Sequence, residues 1–430
     1  LIAFGMDRGL EQRLQCLVPR ALLDPERTDL PCGDAQGLLP VELRWQGEQL
    51  SAIEPCGGSG LPLALTPLVD PHVHLDKAFS WPEFPNYSGR MQAALALNLE
   101  EGQSRTAEQA LQRGERALER AWRYGLRGLR SHIDSGGPCA EPSWQALLEL
   151  QQRWAGRIEL QLVALAPLSQ WLSSEGSALA RRVAAAGGLL GGVLGPPFPS
   201  SGRDGADLDA LLQLAGELGC GIDLHIDESS EAPAAGVQLL VQRLERFHPG
   251  VPITCSHASS MGLLKAAQAR PLAQRLQRLG VAVVALPTTN FWLLGREQSV
   301  SSGFRPLAPL RLLQQEGVAV ALGADNVQDP WYPGGDFDPL DLLRLSFRAT
   351  HTPPWERQGL MPFTTTPARL LGLAWDGVLR VGGPADLLLT SAGSWAEFLA
   401  HSPQRRVLRQ GRWLPLPDQA HPDVRLANVV

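Results

Sequence analysis

Eight short runs rich in Val, Ile, Leu and Ala punctuate the chain, at residues 63–74, 128–134, 158–165, 188–194, 221–227, 252–257, 281–287 and 318–325. From the second onward they recur roughly every thirty residues, the length of one strand–helix unit. Their near-continuous apolar character implies burial on both faces, as in a parallel sheet covered by helices. The intervening stretches read as helices. In residues 106–124, Ala110, Leu111, Ala117, Leu118, Ala121 and Trp122 fall at helical spacing, with Arg and Glu between them. Residues 208–218 and 237–247 have the same character, and Gly219 and Gly250 are placed to end them. Eight such units, with no Gly-rich phosphate turn after any strand, predict an α/β fold. It is a closed (β/α)8 TIM barrel over residues 63–376 rather than an open doubly wound sheet.

The two ends behave differently. Residues 1–62 carry short alternating pieces such as residues 41–45, with many Gly and Pro. From 377 onward, residues 377–382, 385–390 and 406–414 read as strands and hairpins. Residues 1–62 and 377–430 are therefore expected to build one small β-sandwich-like domain from both termini. The apolar opening Leu1–Met6 is too short for a signal peptide, and Met6 is a candidate initiator. No apolar run reaches membrane-spanning length, so a cytoplasmic protein is expected. The six cysteines are scattered and form no C-x-x-C pair, which argues against a disulfide framework; Cys220 and Cys255 lie in or beside apolar runs, where a buried thiol is expected. The formal net charge of −6, with no basic stripe, argues against a nucleic-acid partner and leaves a small molecule. Homo-oligomeric assembly is left open.

The polar residues closing these runs carry the chemistry. His72 and His74 end the first run two positions apart, so on a strand both point to one side. His225 and Glu228 follow the fifth run, His257 the sixth and Asp325 the eighth. Of nine histidines, five (His72, His74, His132, His225 and His257) fall at C-terminal strand ends, where barrel enzymes keep their active sites. A lone H-x-H, a core histidine or an aspartate capping a helix would each be unremarked alone. In combination they form a donor set, three neutral imidazoles and a carboxylate, suited to one Zn2+ or, alternatively, Fe2+.

These pieces resemble the amidohydrolase superfamily, and within it the cytosine deaminase-like branch. The resemblance rests on Pro71-His72-Val73-His74-Leu75-Asp76, Arg130-Ser131-His132-Ile133-Asp134, His225-Ile226-Asp227-Glu228, Ser256-His257, and Asn290 with Gly295-Arg296. Asp325-Asn326-Val327 followed by Asp329-Pro330-Trp331-Tyr332-Pro333 is its longest motif. The resemblance implies that His72, His74, His225 and Asp325 hold one metal. It also implies that Glu228 shuttles protons, and that His257 orients the activated water and polarises the substrate. Binuclear relatives carry a bridging lysine at the end of the fourth strand; residues 191–195 contain none, which points to a single ion. The implied reaction is hydrolysis of a C–N bond, with a metal supplying hydroxide near neutral pH. Asp325 would accept the water's proton, and Glu228, three residues after His225, would protonate the departing amine.

Departures from the branch concern the substrate. Leu168 follows Pro167 where cytosine deaminases carry a glutamine that grips the pyrimidine edge, and Gln161 lies earlier on the same strand, pointing elsewhere. Asn326 replaces a carboxylate, Ala324 a histidine, and Lys77 a threonine. Losing a buried amide penalises cytosine itself. Lys77 would favour an anionic or carbonyl-rich substrate, or else form a surface salt bridge. Trp331, with Trp292 and Phe79, could wall a flat ring, or the last two could be core. The expected activity is a metal-dependent amidohydrolase or deaminase acting on a nitrogen heterocycle, releasing ammonia or a small amine. The alternatives are hydrolysis of an acyclic amide or N-substituted triazine-like amine, and an inactive barrel serving as a binding protein.

Overall fold

The computed structural model describes residues 11–198, 202–296 and 305–415. The Leu1–Met6 opening and residues 416–430 of the C-terminal piece lie outside these. Eight parallel strands form the central sheet: Leu68–Val73, Leu126–Asp134, Glu159–Leu165, Leu189–Leu194, Ile222–Ile226, Ile253–His257, Ala282–Ala285 and Val320–Leu322. Each pairs with the next in sequence. The first and eighth meet through one bridge, Val73 to Asp325, where the Asp325 amide donates to the His72 carbonyl at 2.9 Å. Gly323 permits this approach, because a Cβ there would sit 3.0 Å from both the Cβ and the carbonyl oxygen of His72. Asp70 reinforces the seam by accepting from the amides of His72 (3.1 Å) and Ala324 (3.1 Å). Burial pushes this carboxyl up to about 7 despite those bonds.

Helices cover the outside. Helix Ala107–Tyr124 starts at a capping box between Thr106 and Gln109 and stops at left-handed Gly125. Gly219 stops Asp204–Leu218 in the same way. Gly250 does not play that part: Ala235–Leu244 already ends at Glu245, in ordinary helical conformation. Inside the barrel, Arg130 fills the space below the site, donating to Asp223 (2.7 Å) and Gln161 (2.8 Å). Gln161 thus points away from the barrel mouth, as expected.

The ends build two small antiparallel sheets. One is formed by Gln12–Pro19, Leu38–Gln46 and Gln49–Pro55; the other joins Ala64–Leu65 to Leu387–Thr390, Arg405–Arg409 and Arg412–Trp413. The two are laced together by bridges Leu17–Leu63 and Gln49–Pro384, and by the Trp45 indole donating to the Gly411 carbonyl at 3.0 Å. The run at 63–74 is therefore two strands, and its first piece pairs with the C-terminal end. Residues 377–382 contribute only a bridge from Leu379 to Leu23, not a strand. All six cysteines are free, with Cys220 and Cys255 buried. Among the described residues no helix is long and apolar enough to cross a membrane.

Candidate metal centre and substrate cavity

His72 and His74 leave the end of the first barrel strand, His225 lies on the fifth, and Asp325 follows the eighth. Their facing atoms nearly touch. His72 Nε2 lies 3.5 Å and His74 Nε2 3.3 Å from Asp325 Oδ1, and His225 Nε2 lies 3.4 Å from His74 Nε2. Two atoms sharing a tetrahedral ion at about 2.1 Å are about 3.4 Å apart, so these separations fit one ion. His72 Nε2 and both Asp325 oxygens are buried without a hydrogen-bond partner. An unpaired buried carboxylate costs several kcal/mol, a penalty that a bound cation removes.

The far side of each imidazole sets its tautomer. Ser256 Oγ donates to Asp223 Oδ1 (2.7 Å), so it can only accept from His72 Nδ1 (2.9 Å), which leaves the lone pair on Nε2. His74 Nδ1 donates to the His132 carbonyl (3.1 Å), with the same result. Burial, reinforced by neighbouring imidazoles, pushes His72 and His225 well below the ordinary imidazole range, which favours the neutral form that metal binding requires.

Two further groupings overlap this one: ligand atoms of His72, His132 and His225, and those of His72, His257 and Asp325, lie within 4.8 Å of one another. His132 stacks on His72 at 3.7 Å and 25°. Imidazole lone pairs lie in the ring plane, so two near-parallel stacked rings direct theirs side by side rather than onto one point. His132 thus supports His72 more readily than it shares an ion with it.

Beside this cluster, Asn290 links the remaining polar groups. Its Oδ1 accepts from Ser259 Oγ (2.6 Å), which fixes the amide so that Nδ2 donates to His257 Nδ1 (3.1 Å) and approaches Glu228 Oε1 (3.4 Å). His257 therefore carries its proton on Nε2. Burial pushes this imidazole down to about 4. Burial, then the Asp325 charge, pushes Glu228 well above the ordinary carboxyl range. Asp325 and His257 hold left-handed backbone, φ 67° and 69°, each a strain of about 1–3 kcal/mol that the surrounding bonds sustain.

The cluster forms one end of a cavity of about 480 Å3, whose lining includes His74, His225, His257, Asp325 and Glu228. The rest of the lining includes Asn98 and the exposed Leu99 of helix Met91–Ser104, with Cys139, Gln170 and Phe198 from later loops and turns.

The chain is similar to known proteins along most of its length. Residues 87–414 match the profile described as "Amidohydrolase family". The chain is 33% identical over 366 residues to a pterin deaminase of Rhizobium rhizogenes, covering 84% of this chain and 82% of the relative. The chain belongs to the amidohydrolase family. It is also 24% identical over 388 residues to an N-isopropylammelide isopropyl amidohydrolase of a Pseudomonas species, covering 87% of this chain and 90% of that one. Its fold matches that of 5-methylcytosine deaminase from Klebsiella pneumoniae with TM-score 0.79 and 24% identity, covering 95% of this chain and 98% of that one.

In this amidohydrolase Lys77, Asn326 and Trp331 line the same cavity as His74, His225, His257 and Asp325. Lys77 donates to Asp134 Oδ1 (2.7 Å) and is only 2% exposed, so its ion pair is buried and not on the surface. Leu168 is different from the expectation. It packs in the core over Gly192, where a Cβ would come within 2.6 Å of its Cδ2. The 3-10 turn Leu168–Leu172 rotates Gln170 to the lining instead, its amide donating to the Ser135 carbonyl (2.9 Å). Phe79 and Trp292 do not wall the cavity either. Arg116 lies over Phe79 (4.0 Å) and Arg296 over Trp292 (4.0 Å), and both rings belong to hydrophobic clusters. Sequence reading left Asp223 and Asn290 without roles. Asp223 stands two residues before His225, hence on the same strand face, and that spacing was its available signal.

Proposed function

We propose that this chain is a metal-dependent deaminase that hydrolyses the exocyclic C–N bond of a nitrogen heterocycle, with a pterin-like bicyclic ring as substrate. The observation that carries the reading is the convergence of His72, His74, His225 and Asp325 beside a buried Glu228 at the closed end of the cavity. The named activity of the 33% identical relative supports the pterin-like ring. The cavity of about 480 Å3 has the size of a small-molecule site.

His72, His74, His225 and Asp325 would hold one divalent ion, Zn2+ or alternatively Fe2+. When bound, such an ion brings the pKa of water to about 7. Asp325 takes the water's proton. Burial raises this carboxyl, but the neighbouring His74 and His257 imidazoles outweigh it and hold the group below the usual range, ionised and able to take a proton. His257 donates from Nε2 to the developing oxygen. The water oxygen bonds to the ring carbon, and Glu228, kept protonated by its burial, gives its proton to the amine. The C–N bond breaks to release ammonia. The ring carbon becomes a carbonyl as the hydroxyl proton returns to Glu228 and the proton held by Asp325 passes to the adjacent ring nitrogen. Lys77, Asn326 and Trp331 contact the ring.

The test is ammonia release by metal-loaded protein across pyrimidines, triazines, pterins and lactams. Pterins should be turned over fastest. No ammonia from any of the panel would overturn the assignment.

A further inference from the structure

We propose that Lys77 and Asn326 form a donor–acceptor pair that reads the lactam edge, N–H beside C=O, of an uncharged heteroaromatic substrate. This rests on the deaminase reading above and narrows its substrate class.

Lys77 follows the first barrel strand and lines the same cavity as Glu228 and Asp325. Its ammonium has three N–H donors. One goes to Asp134 Oδ1, and no other bond from Nζ occurs among the described residues. Two donors are thus left for a ligand. Asn326 supplies the opposite polarity. Its Nδ2 donates to Asp329 Oδ2 (2.8 Å), and Asp329 is itself held by the amides of Trp331 (2.9 Å) and Tyr332 (3.3 Å). With the amide oriented by that bond, Asn326 has its Oδ1 acceptor free, together with the second N–H of Nδ2.

The surrounding charges decide between a carbonyl and an anion. Asp134 lines the cavity beside Lys77 and pairs through its second oxygen with Arg105 (3.0 Å). Arg105 also binds Asp76 (2.5 Å) and Glu101, and Glu101 binds Arg113 (2.6 Å). Three cations (Lys77, Arg105, Arg113) meet three anions (Asp76, Glu101, Asp134). An anionic ligand would find no surplus positive charge and would face the Asp134 carboxylate. A neutral carbonyl, by contrast, accepts from Lys77 without repulsion, while the adjacent ring N–H donates to Asn326. Trp331, its indole tied to Asn98 Oδ1 (3.1 Å), offers an apolar surface beside the same edge.

The test compares pterin, whose 4-oxo ring has the lactam edge, with its 4-methoxy analogue, which lacks the ring N–H and the carbonyl. Wild-type, metal-loaded protein should favour pterin by about 100-fold or more in kcat/KM, because a site built to hydrogen-bond penalises its absence. Lys77→Met should lower kcat/KM for pterin by about 100-fold while moving the methoxy compound only a few-fold, collapsing the preference with bound metal unchanged. Asn326→Leu should act in the same sense and carries the test if Lys77→Met fails to fold. Equal losses on both substrates, or a wild-type enzyme indifferent to the methoxy group, would overturn the pair while leaving the deaminase reading intact. Ammonia from neither compound, but from other heterocycles, overturns the lactam class; ammonia from no heterocycle sinks the deaminase reading and the pair with it.

Discussion

The cavity has two sides of different construction. The inner side comes from strand ends: His74 at the first, with His72 buried beside it, His225 and Glu228 at the fifth, His257 at the sixth, Asp325 at the eighth. Three of the imidazoles are fixed by buried partners: Ser256 and Asp223 behind His72, the His132 carbonyl behind His74, and Asn290 behind His257. The outer side comes from loops and one helix, and is only partly buried. Leu99 is 59% exposed, and Gln170 and Phe198 stand on segments that follow the third and fourth strands. Groups that need fixed distances sit on the frame, as do Lys77 and Asn326 beside them, whereas the outer parts can vary without disturbing it.

That contrast can be broken by mutation. Asp325→Asn removes both a metal-facing anion and the proposed base, and should cut ammonia release by about 1,000-fold or more, since such a centre supplies several kcal/mol. Wild-type turnover in that variant would remove the inner side from the reaction. Glu228→Gln should keep its metal while kcat falls about 100- to 10,000-fold. If its kcat is unaltered, the proton donor lies elsewhere. Ser256→Ala frees the His72 ring and should weaken metal affinity about 10- to 100-fold, read by competition with a chelator. An unaltered affinity would make the Asp223–Ser256–His72 chain merely structural. On the outer side, Leu99→Ser should shift KM for a bicyclic substrate about 3- to 10-fold and kcat less, the scale of one apolar contact. A loss in kcat as large as that of Glu228→Gln would erase the distinction between the two sides.

The same contrast explains what could be read from sequence. Barrel strands buried on both faces leave continuous apolar runs, and His72, His74, His225, His257 and Asp325 stand out because they close such runs. Loop geometry leaves no such imprint. Nothing in Pro167-Leu168 foretells the 3-10 turn that buries Leu168 over Gly192 and presents Gln170. Phe79 and Trp292 read equally as ring-walling or core aromatics, because the arginines lying over them come from elsewhere in the fold or from the next turn of chain. The break in the first run was hidden for a different reason: Ala64–Leu65 and Leu68–Val73 are both buried, one in a small sheet and the other in the barrel, so both are apolar.

Counting metal in the purified protein tests the convergence of the four ligands most directly. Elemental analysis of the wild-type chain and of His72→Ala and His225→Ala variants, each checked for folding, should give about one divalent ion per wild-type chain and a large loss in both variants. Undiminished metal in both variants, or full ammonia release from wild-type protein stripped of metal, would contradict it.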